Sequence, residues 1–242
     1  MKFFSLFTLM VIILAGVVFT ASARDEQYEA LQLKNLKIDG VLDEWAEWIP
    51  ENIIALEAVF GGEPPDDPDD FTGSVMIAWN EDDSSRIYFA VKIIDDEIQD
   101  INPANTNHWQ DDSMEFIFDS NNDGSAQQFT LDANGKDLSA SATGDNTTYV
   151  VSVNDDKVIF EVAIEPAAGF KAGVGDAIGL ALSYNDSEDG ARQDQIRWIA
   201  NENAWGGASN QGDLVFSAQI MAAAPVEPQD KLTATWGSLK LH

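Results

Sequence analysis

The chain has 242 residues, no cysteine, two histidines and a net charge of −29, from 13 Lys+Arg against 42 Asp+Glu. The missing cysteines exclude thiol catalysis, Cys-ligated zinc, iron–sulfur clusters and c-type haem attachment, and His108 and His242 alone leave little room for triad or zinc chemistry. A surface this acidic, with no cluster of Lys or Arg, repels anionic membranes and lacks the cationic groove that nucleic acid needs.

Lys2 precedes an apolar run from Phe3 to Phe19, and the small residues Ala21 and Ala23 fit a signal-peptidase site. Residues 1–23 are therefore expected to be a removed secretory signal rather than a membrane anchor. The expected mature protein is extracellular or periplasmic. Loss of Lys2 takes its charge to −30, and it keeps no apolar run able to cross a bilayer. Such acidity keeps an exported protein soluble, and it also suits one that holds divalent cations or meets uncharged ligands.

Residues 24–35 read as a polar leader and 36–220 as one domain. Leu36–Trp45 begins as a strand and turns at Asp39-Gly40, with Trp45 expected to pack. Asn52–Phe60 reads as another strand, and Gly61–Asp70 as a Pro- and Asp-rich surface loop. Ser74–Asn80 and Arg86–Asp95 form a hairpin pattern in which Ile87, Phe89, Val91 and Ile93 alternate. After an Asn-rich loop the same alternation appears in Met114, Phe116 and Phe118, which leaves Ser113, Glu115, Ile117 and Asp119 on the opposite face.

Further strands are expected at Gln127–Asp132, Thr148–Val153, Lys157–Ile164, Asp176–Asn185, Gln195–Ala200 and Asp213–Gln219. About ten short strands with turn signals between them, and no long helical period, point to an all-β fold, an antiparallel β-sandwich of jelly-roll or immunoglobulin-like type. Residues 221–242 read as a linker and a short tail.

Asp119-Ser-Asn-Asn-Asp-Gly124 has the D-x-N-x-D-G pattern that places oxygen ligands at Asp119, Asn121 and Asp123 before a glycine turn. The twelfth position is Thr130 rather than Glu, which excludes a complete EF-hand. Structural calcium here needs ligands from elsewhere, such as Asp39 and Asp43 of the first turn or Asp186 and Asp189 of the acidic loop. The alternative is a tight polar turn.

The order of three motifs resembles the family 9 carbohydrate-binding modules: Ile-Asp-Gly-Val-Leu-Asp-Glu-Trp45, Trp109-x-Asp-Asp-Ser-Met-Glu-Phe-Ile-Phe-Asp119, and Gly179-Leu-Ala-Leu-Ser-Tyr-Asn-Asp186 with a late Trp205-Gly. The match spans about Leu36 to Gln219, and similar sandwiches occur in DOMON-type domains. The resemblance implies a calcium-bearing sandwich whose cleft clasps a terminal sugar of a glucan or xylan between two tryptophans. It assigns Trp109 and Trp205 as that pair, Glu115 as the carboxylate that binds sugar hydroxyls, Asn201, Glu202 or Asn203 as a polar neighbour, and Lys136 as the cation. It also implies a noncatalytic role, with a polysaccharide-degrading enzyme as a possible partner.

The chemistry is consistent with those residue types, because a pyranose offers an apolar C–H face to indole and hydroxyls that need paired donors and acceptors. The spacing sets a condition: six extended residues span about 20 Å. Trp109 and Glu115 can meet one sugar only if the chain between them bends. Trp109 as packing and Glu115 as a solvated side chain are the plain alternatives. Two other functions remain open at this stage, a glycosidase built on two carboxylates and b-type haem held by Met114 with His108 or Lys136.

Overall fold

The structure, a computed structural model, describes residues 24, 26–45, 52–62, 64–99, 108–135, 137, 144–188, 191–199 and 210–221. Twelve strands dominate them: β1 Gln27–Gln32, β2 Ile54–Leu56, β3 Ala58–Val59, β4 Phe71–Trp79, β5 Ile87–Asp95, β6 Ser113–Asp119, β7 Gln127–Asp132, β8 Thr148–Asn154, β9 Lys157–Ile164, β10 Ala177–Glu188, β11 Ala191–Trp198 and β12 Gly212–Ile220. Among these residues no helix is long and apolar enough to cross a membrane.

The strands make a β-sandwich. One layer runs β3-β11-β10-β6-β7 and the other β12-β1-β4-β5-β9-β8, joined where β10 also pairs with β12. The alternating apolar residues face inward between the layers. Phe89 of β5 meets Phe116 and Phe118 of β6 at ring-centroid distances of 4.8 and 6.0 Å, and Phe71 of β4 meets Tyr184 of β10 at 5.4 Å. Met114 is fully buried in this same cluster, so its sulfur belongs to the core and not to a haem pocket.

Two expectations are corrected. The polar leader is a central strand: β1 lies between β12 and β4 and is parallel to both, so the sandwich is mixed rather than wholly antiparallel. The Tyr28 hydroxyl ties it in, donating to Asn52 O at 2.8 Å and accepting from Ile77 N at 3.2 Å. The second correction concerns Leu36–Ile38, which form no strand and cross the outer face of the second layer instead.

On that face Leu31, Leu33, Trp45, Met76, Ala78, Tyr88, Ala90 and Ala163 make a second apolar cluster. Glu161 of β9, buried beneath, accepts Asp39 N and Gly40 N at 2.8 Å each through Oε2 and Trp45 Nε1 at 3.1 Å through Oε1. The Ile-Asp-Gly…Trp motif is therefore a docking strap, and Trp45 packs as expected.

Candidate functional site

The outer face of the first layer carries polar side chains in register. Glu115 stands in a row with Thr130, Ser183 and Arg197, and Ser113 in the next row with Asp132, Asn185 and Gln195. Strand alternation explains this: the residues between them, from Met114 to Tyr184, fill the core. Nearly all of these polar groups are buried, so each needs a partner.

Most find partners in one another. Asn185 Nδ2 donates to Glu115 Oε1 and to Ser113 Oγ, both at 3.1 Å, and Gln195 Nε2 donates to Glu115 Oε2 at 3.2 Å and to Asn185 Oδ1 at 2.9 Å. Arg197 donates to Gln195 Oε1 and lies over the Phe60 ring at 3.9 Å, while Gln128 Nε2 donates to Thr130 Oγ1 at 3.1 Å. Burial raises the Glu115 carboxyl above its ordinary value, and the hydrogen bond from Asn185 and the charges of Arg197 and Arg192 oppose that rise.

Trp109 overhangs this network. The chain before β6 does bend: His108–Gln110 form one 3-10 turn, and Asp111-Asp112 bend into the strand. Asp112 fixes the bend, accepting Ser187 N at 2.7 Å and also Gln99 N, while Ser187 Oγ donates to Gln110 O at 3.0 Å. Trp109 is left 44% exposed, with the Arg192 guanidinium carbon 5.0 Å from its ring centroid. Arg192 Nη1 donates to Asn185 Oδ1 at 3.3 Å. One chain of contacts thus runs from Trp109 through Arg192 and Asn185 to Glu115.

Beside this face lies a second cluster. Asp95, Asp112 and Asp186 each offer an oxygen, all within 4.8 Å of one another and all buried. Burial first, then Asp95 nearby, pushes Asp112 up to about 9 and Asp186 up to about 8, and burial raises Asp95 also. Tyr184 donates to Asp95 Oδ2 at 2.9 Å. Three dry carboxylates converging with an all-oxygen donor set fit a hard divalent cation. Asp70, Asp96 and Glu188 form a more exposed group of three.

Among the described residues, the others expected to hold metal are in neither group. Asp119 closes its own turn, accepting Asp123 N at 3.0 Å and Gly124 N at 3.2 Å, and it faces Arg24 at 3.7 Å. Asn121 Nδ2 donates to Asp123 Oδ2 at 2.9 Å. Asp39 Oδ1 accepts Val41 N at 3.1 Å within its own turn, and Asp43 is exposed. Asp186, expected in a loop, is in a strand, since β10 runs on to Glu188.

Lys136, Asp189, Asn201, Glu202, Asn203 and Trp205 lie outside the described residues. Of the expected sugar-site residues, Trp109 and Glu115 are brought to one face. Asn185, Arg192, Gln195 and Arg197 join them without having been singled out from the sequence, because only the β10–β11 register reveals them.

A family model described as carbohydrate family 9 binding domain-like matches residues 38–219. The chain belongs to that family. Two solved family 9 carbohydrate-binding modules from Caldicellulosiruptor kristjanssonii share its fold. One, in complex with glucose, is 17% identical with a TM-score of 0.63, covering 79% of this chain and 96% of its own. The other, in complex with cellotriose, is 18% identical with a TM-score of 0.65, covering 84% and 100%. No curated protein matches the chain. The family 9 match begins at the strap docked on Glu161 and ends in β12, so it takes in every strand but β1 and the whole polar face.

Proposed function

We propose that this family 9 domain binds carbohydrate without catalysis, taking the end of a glucan- or xylan-type chain on the face formed by β6, β10 and β11. One observation carries the reading: an exposed indole, Trp109, overhangs a buried donor–acceptor network centred on Glu115. The indole supplies a platform for a pyranose C–H face, and the amides and carboxylate supply paired partners for its hydroxyls. The glucose and cellotriose complexes of modules with the same fold support this ligand class.

Calcium is proposed at Asp95, Asp112 and Asp186. When bound it offsets most of the charge of three buried carboxylates and ties β5, β10 and the bend before β6 together, which holds Trp109 beside Glu115. Export after removal of residues 1–23, and work alongside a polysaccharide-degrading enzyme, complete the proposal. The test is calorimetric titration with cellobiose and xylobiose, calcium present. Heat that vanishes in Trp109→Ala and Glu115→Gln supports the site, and no heat with any saccharide overturns it.

A further inference from the structure

The chain contains four arginines, at 24, 86, 192 and 197. Two are committed to carboxylates: Arg24 pairs with Asp119 and Asp213, and Arg86 with Asp83. The other two lie on β11 beside Glu115, in a protein whose net charge is −29. Placing half of so scarce a residue type on one strand of the candidate site demands a reason.

For Arg197 the reason is structural, since it is buried against Phe60 and donates to Gln195. Arg192 is different. Its contacts are the neutral Asn185 Oδ1 and the Trp109 ring, and among the described residues it makes no ion pair. Among the described residues most of its five-donor fork is unused, and that fork is shaped for a carboxylate.

A backbone irregularity puts it there. The β10–β11 register runs Asn185↔Gln195 and Asp186↔Asp194, then skips to Ser187↔Arg192, so that Gln193 is an extra residue. Without the bulge Gln193 would oppose Ser187, and Arg192 would point to the other side of the sheet. With it, Arg192 shares the face of Asn185, Gln195 and Arg197. A bulge that re-aims a side chain beside a site is a feature the fold maintains at the expense of ladder pairing.

We propose that Arg192 makes this face selective for acidic saccharides: the carboxylate of a hexuronate unit pairs with the Arg192 guanidinium while the sugar ring packs against the exposed part of Trp109 next to it. The inference rests on the sugar-site reading above and adds the ligand's charge to it. The protein's overall negative charge does not forbid an anion here, because repulsion is largely screened beyond about 8 Å at physiological ionic strength. At shorter range the ligand meets the Arg192 guanidinium, while the Glu115 carboxylate lies among the charges of Arg192 and Arg197 and its oxygens already accept from Asn185 and Gln195. Asp132, at the β7 edge of the neighbouring row, accepts Asn134 N within its own turn.

The test compares matched ligands by calorimetry on the full exported protein with calcium present, using digalacturonate against galactobiose and diglucuronate against cellobiose. The expected result is about tenfold tighter binding of each acidic disaccharide, as for a charge-assisted bidentate contact. That ratio should fall towards one in Arg192→Gln and be partly kept in Arg192→Lys, with circular dichroism confirming that both variants are folded. Neutral disaccharides binding as well as acidic ones, or a ratio unchanged in Arg192→Gln, overturns the acidic preference and leaves the sugar site standing. Binding of no disaccharide of either kind overturns both.

Discussion

Asn185 and Glu115 are joined across adjacent strands by a 3.1 Å hydrogen bond, and with Gln195 at 3.2 Å this gives a fully buried carboxylate two amide donors. Its carboxyl is raised by burial, so binding and stability should respond to pH in opposite senses. A group with a raised folded value stabilises the fold below its unfolded value and loses that contribution as pH rises through the folded value. A sugar hydroxyl that donates to Glu115 needs the ionised form. Affinity is therefore expected to fall on acidification, starting above the ordinary glutamate range, and titrations across about pH 4 to 7 read this directly. Glu115→Gln should remove its own share of the pH dependence along with most of the affinity.

Trp109 is expected to separate binding from folding. With 44% of its surface exposed and its ring set against Arg192 rather than the core, Trp109→Ala should cost the fold no more than about 1 kcal/mol. Loss of a stacking platform should weaken sugar binding by about tenfold or more. A variant whose melting temperature drops steeply while its affinity holds would make Trp109 a packing residue.

Calcium should act as a ligand of the folded state. Removing it with EDTA leaves Asp95, Asp112 and Asp186 converging without a counter-ion, and returning it at about a hundred times its dissociation constant adds about 2.7 kcal/mol. For a domain of this size each kcal/mol moves the melting temperature by about 2–4 °C. Asp186→Asn relieves the repulsion and removes a ligand at the same time. It is expected to leave the EDTA-treated protein no less stable and to abolish the calcium-dependent rise, which calorimetric melting with and without calcium measures.

The parts of the molecule that repeat locally were legible in the sequence. Ile87, Phe89, Val91 and Ile93, and Met114, Phe116 and Phe118, alternate in the sequence and fill one core. Strand β1 was not legible, because Gln27 and Glu29 face solvent and Tyr28, Ala30 and Leu31 make too short an apolar signal. The site divides in the same way. Trp109 and Glu115 are six residues apart and carry a motif. Asn185 and Gln195 meet Glu115 only through the register of β6, β10 and β11, and Arg192 reaches the face only because the extra Gln193 inverts the alternation. Asp95, Asp112 and Asp186 come from three separate segments, whereas the local D-x-N-x-D-G pattern spends Asp119 on its own turn.

The strap over the second layer yields the last prediction. Gly40 has φ +84°, and a Cβ there would stand 2.7 Å from both Val150 Cγ1 and Ser152 Oγ of β8. Gly40→Ala therefore combines an unfavourable backbone conformation with a clash against a strand, for a cost of about 1–3 kcal/mol. Glu161→Ala acts on the same strap from beneath, leaving Asp39 N, Gly40 N and Trp45 Nε1 without their acceptor, and its cost should be at least as large. Because both substitutions release one docked segment, their effects should fall short of additivity in the double variant. Urea unfolding of the two single variants and the double variant measures this. Full additivity would mean that the strap and Glu161 stabilise the sandwich independently, against the shared hydrogen bonds that join them.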